Sequence, residues 1–167
     1  KIGYGTSFAG ANVSVDYNKQ QDGGSGKSIA VDFAPVDGAM VFVAQSDEYA
    51  GTNASTDQVT FGGTYTAGAV TAGIQRTSVD FSAADSDTDR THIAASFAVN
   101  EDLSVSYGIS TVEFEAGSKT DQEDSGFSAS YTMGSLSLNA SMNSSDNVGG
   151  TSGTDDEMKE IGLAFAF

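Results

Sequence analysis

Apolar side chains recur at every second position along most of this chain, and that period constrains the fold more than any other feature. Leu103, Val105, Tyr107 and Ile109 alternate with Ser104, Ser106, Gly108 and Ser110. Successive side chains of an extended strand point to opposite faces, so such a run specifies a strand with one apolar and one polar face. The same alternation runs through Ile2–Phe8, Val13–Tyr17, Ile29–Phe33, Val59–Tyr65, Val70–Ile74, Ile93–Val99, Phe127–Met133, Leu136–Met142 and Ile161–Phe167. Only around Met40 to Val43, where "AMVFVAQ" is apolar on both parities, is the register open. The pattern predicts eleven strands. Parity puts Val59, Phe61, Ile93, Phe97, Leu103, Tyr107, Leu136 and Leu138 on one face and their sequence neighbours on the other.

The connections alternate as strictly as the strands. Residues 9–11, 36–39, 67–69, 100–102 and 134–135 are short turn signals, whereas 20–27, 46–58, 79–90, 115–125 and 144–157 are long, polar and acidic. In an up-and-down antiparallel sheet this order gathers every tight turn at one end and every long loop at the other. Transmembrane β-barrels of bacterial outer membranes have that asymmetry. The aromatic residues agree with it. Tyr65, Phe97, Tyr131, Phe165 and Phe167 lie beside the tight turns or the C-terminus, and Tyr17, Phe61 and Phe127 lie nearer the loops, giving two candidate interfacial girdles.

Composition narrows the function. Seven basic against 23 acidic residues, a net charge of −16, exclude a phosphate-neutralising nucleic-acid surface. The absence of cysteine removes zinc fingers, disulfide frameworks and thiol nucleophiles. No run of apolar residues is long enough for a transmembrane helix, so a membrane role requires strands.

The stretch "GYGTSFAGANVSVDYNKQ", the loop-and-turn order after it and the ending "IGLAFAF" resemble the C-terminal part of the alphaproteobacterial, Rhodobacter-type general porins. The resemblance is one of pattern over residues 1–167. It implies a sixteen-stranded barrel, of which this chain is the C-terminal part of a single domain, beginning just past the loop that forms the constriction. It also implies a homotrimer in the bacterial outer membrane, in contact with lipid and lipopolysaccharide, and a closing strand (Ile161, Leu163, Phe165, Phe167) recognised by the barrel-assembly machinery. An upstream segment of five strands would complete the barrel, because unpaired backbone groups at both edges of an eleven-stranded sheet are costly in hydrocarbon.

On the polar parity, Asp16, Asp32, Thr60, Thr64, Thr71, Gln75, His92, Ser104, Ser106, Ser128, Asn139 and Glu160 are the expected pore-lining residues. Small hydroxyls and amides with a few carboxylates suit a wide aqueous channel of weak cation preference. The expected function is passive diffusion of small hydrophilic solutes and ions, with no reaction and no cofactor. His92, the one histidine, has no nucleophile or base in a recognisable pattern beside it. Arg76, Arg90 and Lys19 read as rim ion-pair partners. Asp85, Asp87 and Asp89 are spaced two apart as Ca2+ ligands often are, but Arg90 follows where an EF-hand has glycine. The acidic loops instead suggest diffuse Ca2+ or Mg2+ bridging to anionic lipopolysaccharide. The rival reading is a secreted, acidic β-rich adhesin or filament subunit, ordered by calcium, whose terminal strand is donated to a neighbour.

Overall fold

A computed structural model describes residues 2–19, 24–49 and 55–165. The strands are β1 (Ile2–Phe8), β2 (Ala11–Lys19), β3 (Ser25–Phe33), β4 (Ala39–Tyr49), β5 (Ser55–Ala67), β6 (Val70–Phe81), β7 (Thr88–Ala98), β8 (Leu103–Phe114), β9 (Gln122–Met133), β10 (Leu136–Asp146) and β11 (Asp156–Phe165). They form one eleven-stranded sheet in sequence order, every neighbouring pair antiparallel. Among the described residues a single 3-10 turn, Val148–Gly150, lies between β10 and β11.

The tight turns follow from local chemistry. Ala9 and Gly10 both take positive φ, as the two-residue hairpin turn that matches strand twist requires. Between β7 and β8, Asn100 closes the turn with its own side chain, whose Oδ1 accepts from the backbone N–H of Asp102 (2.9 Å) and Leu103 (2.8 Å).

The registers run without a break in parity, so the faces can be traced across the sheet. Val59, Phe61, Ile93, Phe97, Leu103, Tyr107, Leu136 and Leu138 share one face, and Ile161, Leu163 and Phe165 continue it. Phe167 lies outside the described residues. The other face carries Ser, Thr, Asn, Gly and Asp. Although its side chains are smaller and more polar, it is the more sheltered: Thr77 is 9% exposed, whereas Phe61 on the apolar face is 52% exposed. Sheltering of small side chains marks the polar face as the concave one. Val112, at 3%, is the only buried hydrophobic side chain among the described residues. No closed apolar core exists there.

Two expectations are refined. The register at Met40–Val43 is settled by pairing: Val41 and Val43 oppose Gly63 and Phe61 on the convex face, and Met40 and Phe42 oppose Thr64 and Gly62 on the concave face. The long connections are shorter than expected, because β5 starts at Ser55, β6 continues to Phe81, β9 starts at Gln122 and β10 runs to Asp146. Hydroxyl, amide and carboxylate side chains there still occupy extended backbone, since ladder pairing outweighs weak local propensity.

Among the described residues β1 pairs with β2 alone and β11 with β10 alone, and no ladder joins the two. Their side chains are correspondingly bare, Ile161 being 76% exposed.

Candidate functional site

The concave face is assembled from ladder rows. One row crosses β5 to β11 as Gly62, Gln75, His92, Ser110, Asp124, Ser145 and Asp156. The next row towards the tight turns is Thr64, Gly73, Ala94, Gly108, Gly126 and Asn143. Its small side chains leave a trough, part of a shallow hollow of about 300 Å³ that Phe42, Thr71, Gln75 and His92 also line. Phe42 lies across Gly62, where an added Cβ would stand 2.8 Å from its ring.

Hydroxyl pairs knit the strands on this face. Thr60 and Thr77 are 3.0 Å apart, Thr66 and Thr71 2.9 Å, and Ser106 and Ser128 2.7 Å. At the turn end, Ser7 donates to Asn12 Oδ1 (2.7 Å), and Asn12 Nδ2 donates to Asp32 (2.8 Å), holding that carboxylate against the wall.

All twelve residues expected on the polar side, Asp16, Asp32, Thr60, Thr64, Thr71, Gln75, His92, Ser104, Ser106, Ser128, Asn139 and Glu160, lie on this face by register. Sequence reasoning passed over Glu48, Asp124 and Asp156, which are also concave. Arg90 is a correction. Expected as a rim ion-pair partner, it stands on the concave face between Thr77 and Val112 and makes no ion pair among the described residues. Its even parity with His92 was the available signal. Arg76 does fill the rim role, on the convex face, 3.1 Å from Asp89 and 3.5 Å from Glu113.

His92 opposes Ser110 directly, but Ser110 Oγ is buried without a hydrogen-bond partner, so no nucleophile–base contact joins them. The aspartates of "DSDTD" are not gathered into one centre. Asp85 sits in a turn with positive φ, Asp87 accepts from Phe81 N–H (2.7 Å), and Asp89 is a β7 residue held by Arg76 and Ser78. Among the described residues no three metal-ligating side chains are grouped to hold an ion, and no helix is long and apolar enough to cross a membrane.

No protein-family model matches the chain, and no curated protein matches it. Solved structures do. The anion-selective porin from Comamonas acidovorans superposes with a TM-score of 0.85 at 15% identity, over 99% of this chain and 58% of that one. The chain has a porin fold. OmpT, an outer membrane protein of Vibrio cholerae, gives 0.72 at 14% identity over 98% of this chain and 62% of its own. The NanC porin gives 0.59 at 13% identity, over 99% of this chain and 97% of its own. The chain thus spans about three-fifths of the length of the first two. The chain superposes more closely on the Comamonas porin than on NanC, which it matches nearly end to end.

Proposed function

We propose that the chain is the larger part of the wall of an outer-membrane general diffusion porin, a water-filled channel for small hydrophilic solutes and ions that carries out no reaction and uses no cofactor. One observation carries the reading: a single continuous sheet has an apolar convex face, a polar concave face and, among the described residues, one buried hydrophobic side chain. Such a surface is stable where lipid covers one side and water the other.

Further strands between β11 and β1 would close the barrel, and the better fit to the longer porin supports a wide one. Sixteen strands, a trimer of the Rhodobacter type, residence in a Gram-negative outer membrane and recognition of the aromatic closing strand by the assembly machinery belong to the same proposal. So does bridging of the convex carboxylates Asp47, Asp57, Asp80, Glu123 and Asp146 to lipopolysaccharide by divalent cations. Asp57 stands directly opposite both Asp47 and Asp80, an arrangement that bound cations would relieve.

Weak cation preference is the finer part of the reading. Its support is the concave face, where Asp16, Asp32, Glu48, Asp124, Asp156 and Glu160 face Arg90 as the one strand-borne cation among the described residues. The Comamonas porin is described as anion-selective, so selectivity is a property of each wall and not of the fold. Reversal potentials across planar bilayers in a salt gradient test it. Cation preference should weaken with added salt and on Asp16→Asn with Asp32→Asn; anion preference in the unchanged protein would refute it. The open edge of β11 also fits strand donation in a secreted adhesin, which solubility without detergent would favour.

A further inference from the structure

The polar rule of the concave face fails at the loop end of β8, where Val112 and Phe114 point inward. Val112 is buried and Phe114 half-buried there, and the β10–β11 connection lies against Phe114. Leaving β10, the chain turns at Asn147 (φ 56°) into the 3-10 turn Val148–Gly150. Gly149 N–H then donates to the side chain of Gln122 on β9 (2.9 Å), and Gly150 C=O accepts from Thr120 N–H (3.1 Å). Gln122 is concave, opposite Val112, so the turn lies on the inner side of the sheet.

The turn reaches past β9 to β8. An added Cβ at Gly150 would lie 2.9 Å from the Lys119 stem and 3.0 Å from the Phe114 ring, and Gly150 takes φ +80°, so glycine alone fits that contact. Lys119 Nζ stands 4.4 Å from the centre of the same ring. Across two strand spacings, about 10 Å, the loop therefore lies over the inner wall. Its own bonds keep it from fraying: Val148 N–H donates to Thr154 C=O (2.7 Å), Gly153 N–H to Asn147 Oδ1 (3.1 Å), and Asn147 Nδ2 to the Asp121 carbonyl (3.2 Å).

We propose that residues 147–155, seated on Phe114, Lys119 and Gln122 beside the buried Val112, form a fixed internal shelf that narrows the loop-side mouth and sets the size limit for solutes entering along β8–β11. The inference builds on the channel reading, since a shelf limits passage only where the concave face lines a pore. Gly150 is its positioning residue.

The chain contains no cysteine, so introduced thiols report access without background. In the protein extracted from membranes, Val112→Cys should react with a charged water-soluble thiol reagent at least about tenfold more slowly than Ser104→Cys, as a covered site does relative to an open one. Equal rates would overturn the shelf. Adding Gly150→Val, or replacing residues 148–153 by Asn-Gly, should abolish that protection, raise single-channel conductance and admit larger sugars in liposome swelling. Folded variants, judged by heat-modifiable gel migration, with unchanged conductance and swelling would also overturn it. If replacement of the loop prevents folding, Gly150→Val and the single-thiol comparison still decide. Absence of conductance from the unchanged protein would defeat the channel reading instead, and labelling at Val112 would still report whether the loop is seated.

Discussion

The two ends of the sheet obey different rules. At the turn end, hydrophobicity and face coincide: Leu103 and Val105 of β8 are convex, and Ser104 and Ser106 are concave. At the loop end of the same strand the relation inverts, with Thr111 and Glu113 convex and Val112 and Phe114 concave. β6 repeats the inversion, since Arg76, Ser78 and Asp80 are convex while Val79 and Phe81 are concave. On the proposed channel reading, alternation therefore reports contact with lipid, not the identity of the face. From Leu103 to Ile109 is six steps, about 20 Å along the strand and about 15 Å in height at the ~35–45° tilt of such strands, which fits within the ~25 Å apolar band of outer-membrane barrels. Above that band water reaches both sides, and local packing decides where an apolar residue points.

The largest test of this contrast places one charge at two heights on the convex face. Tyr107→Arg, near the middle of the apolar run of β8, should destabilise the protein folded in lipid vesicles by about 2–4 kcal/mol, and Thr111→Arg by about 0–1 kcal/mol, as measured by urea unfolding. Equal costs at the two heights would erase the boundary between the ends. Next in size is Gly62→Val. A Cβ there meets the Ile74 carbonyl at 2.5 Å as well as the Phe42 ring, so the strands must shift, at a cost of about 1–3 kcal/mol. Unchanged stability would mean that Phe42 does not lie across that strand.

The inversion itself is tested by two truncations on the concave face. Val112→Ala should cost about 1–2 kcal/mol because it empties a covered site, whereas Ser104→Ala at the turn end should stay within about 0.5 kcal/mol. Smallest is Arg76→Ala, which removes the convex ion pairs with Asp89 and Glu113. Because those groups are well exposed, the loss should be about 0.2–1 kcal/mol and should shrink as salt is added. A larger, salt-independent loss would make the loop-end rim a structural core and not a solvated edge.

This division also explains what was legible in the sequence. Strand number, turn order and the face of each residue in the apolar runs followed from period two, which the proposed setting of lipid on one side and water on the other would impose. "AMVFVAQ" did not disclose its register, since Phe42 fits inward only by lying over Gly62 of the next strand, a contact between positions that sequence does not align. Arg90 was misread as an ion-pair partner for a different reason: it lies at the loop end of β7 as expected, but strand pairing runs through it and turns it to the concave face, away from Asp89 and Glu113. The shelf was invisible. Nothing in the sequence ties Val112 and Phe114 of β8 to the β10–β11 connection, and only the three-dimensional seat of Gly150 brings that connection against Phe114.

The central claim is that water lines the concave face and lipid the convex one. Single cysteines placed in turn at positions 103–110 of β8, in the protein assembled in membranes, test it directly with a charged, membrane-impermeant thiol reagent. The account predicts a strict alternation: reaction at 104, 106, 108 and 110, the last slowed because Ser110 Oγ is already buried, and protection at 103, 105, 107 and 109. Comparable reaction on both parities would describe a sheet wetted on both sides, and reaction confined to the odd positions would turn the wall inside out; either result contradicts the channel.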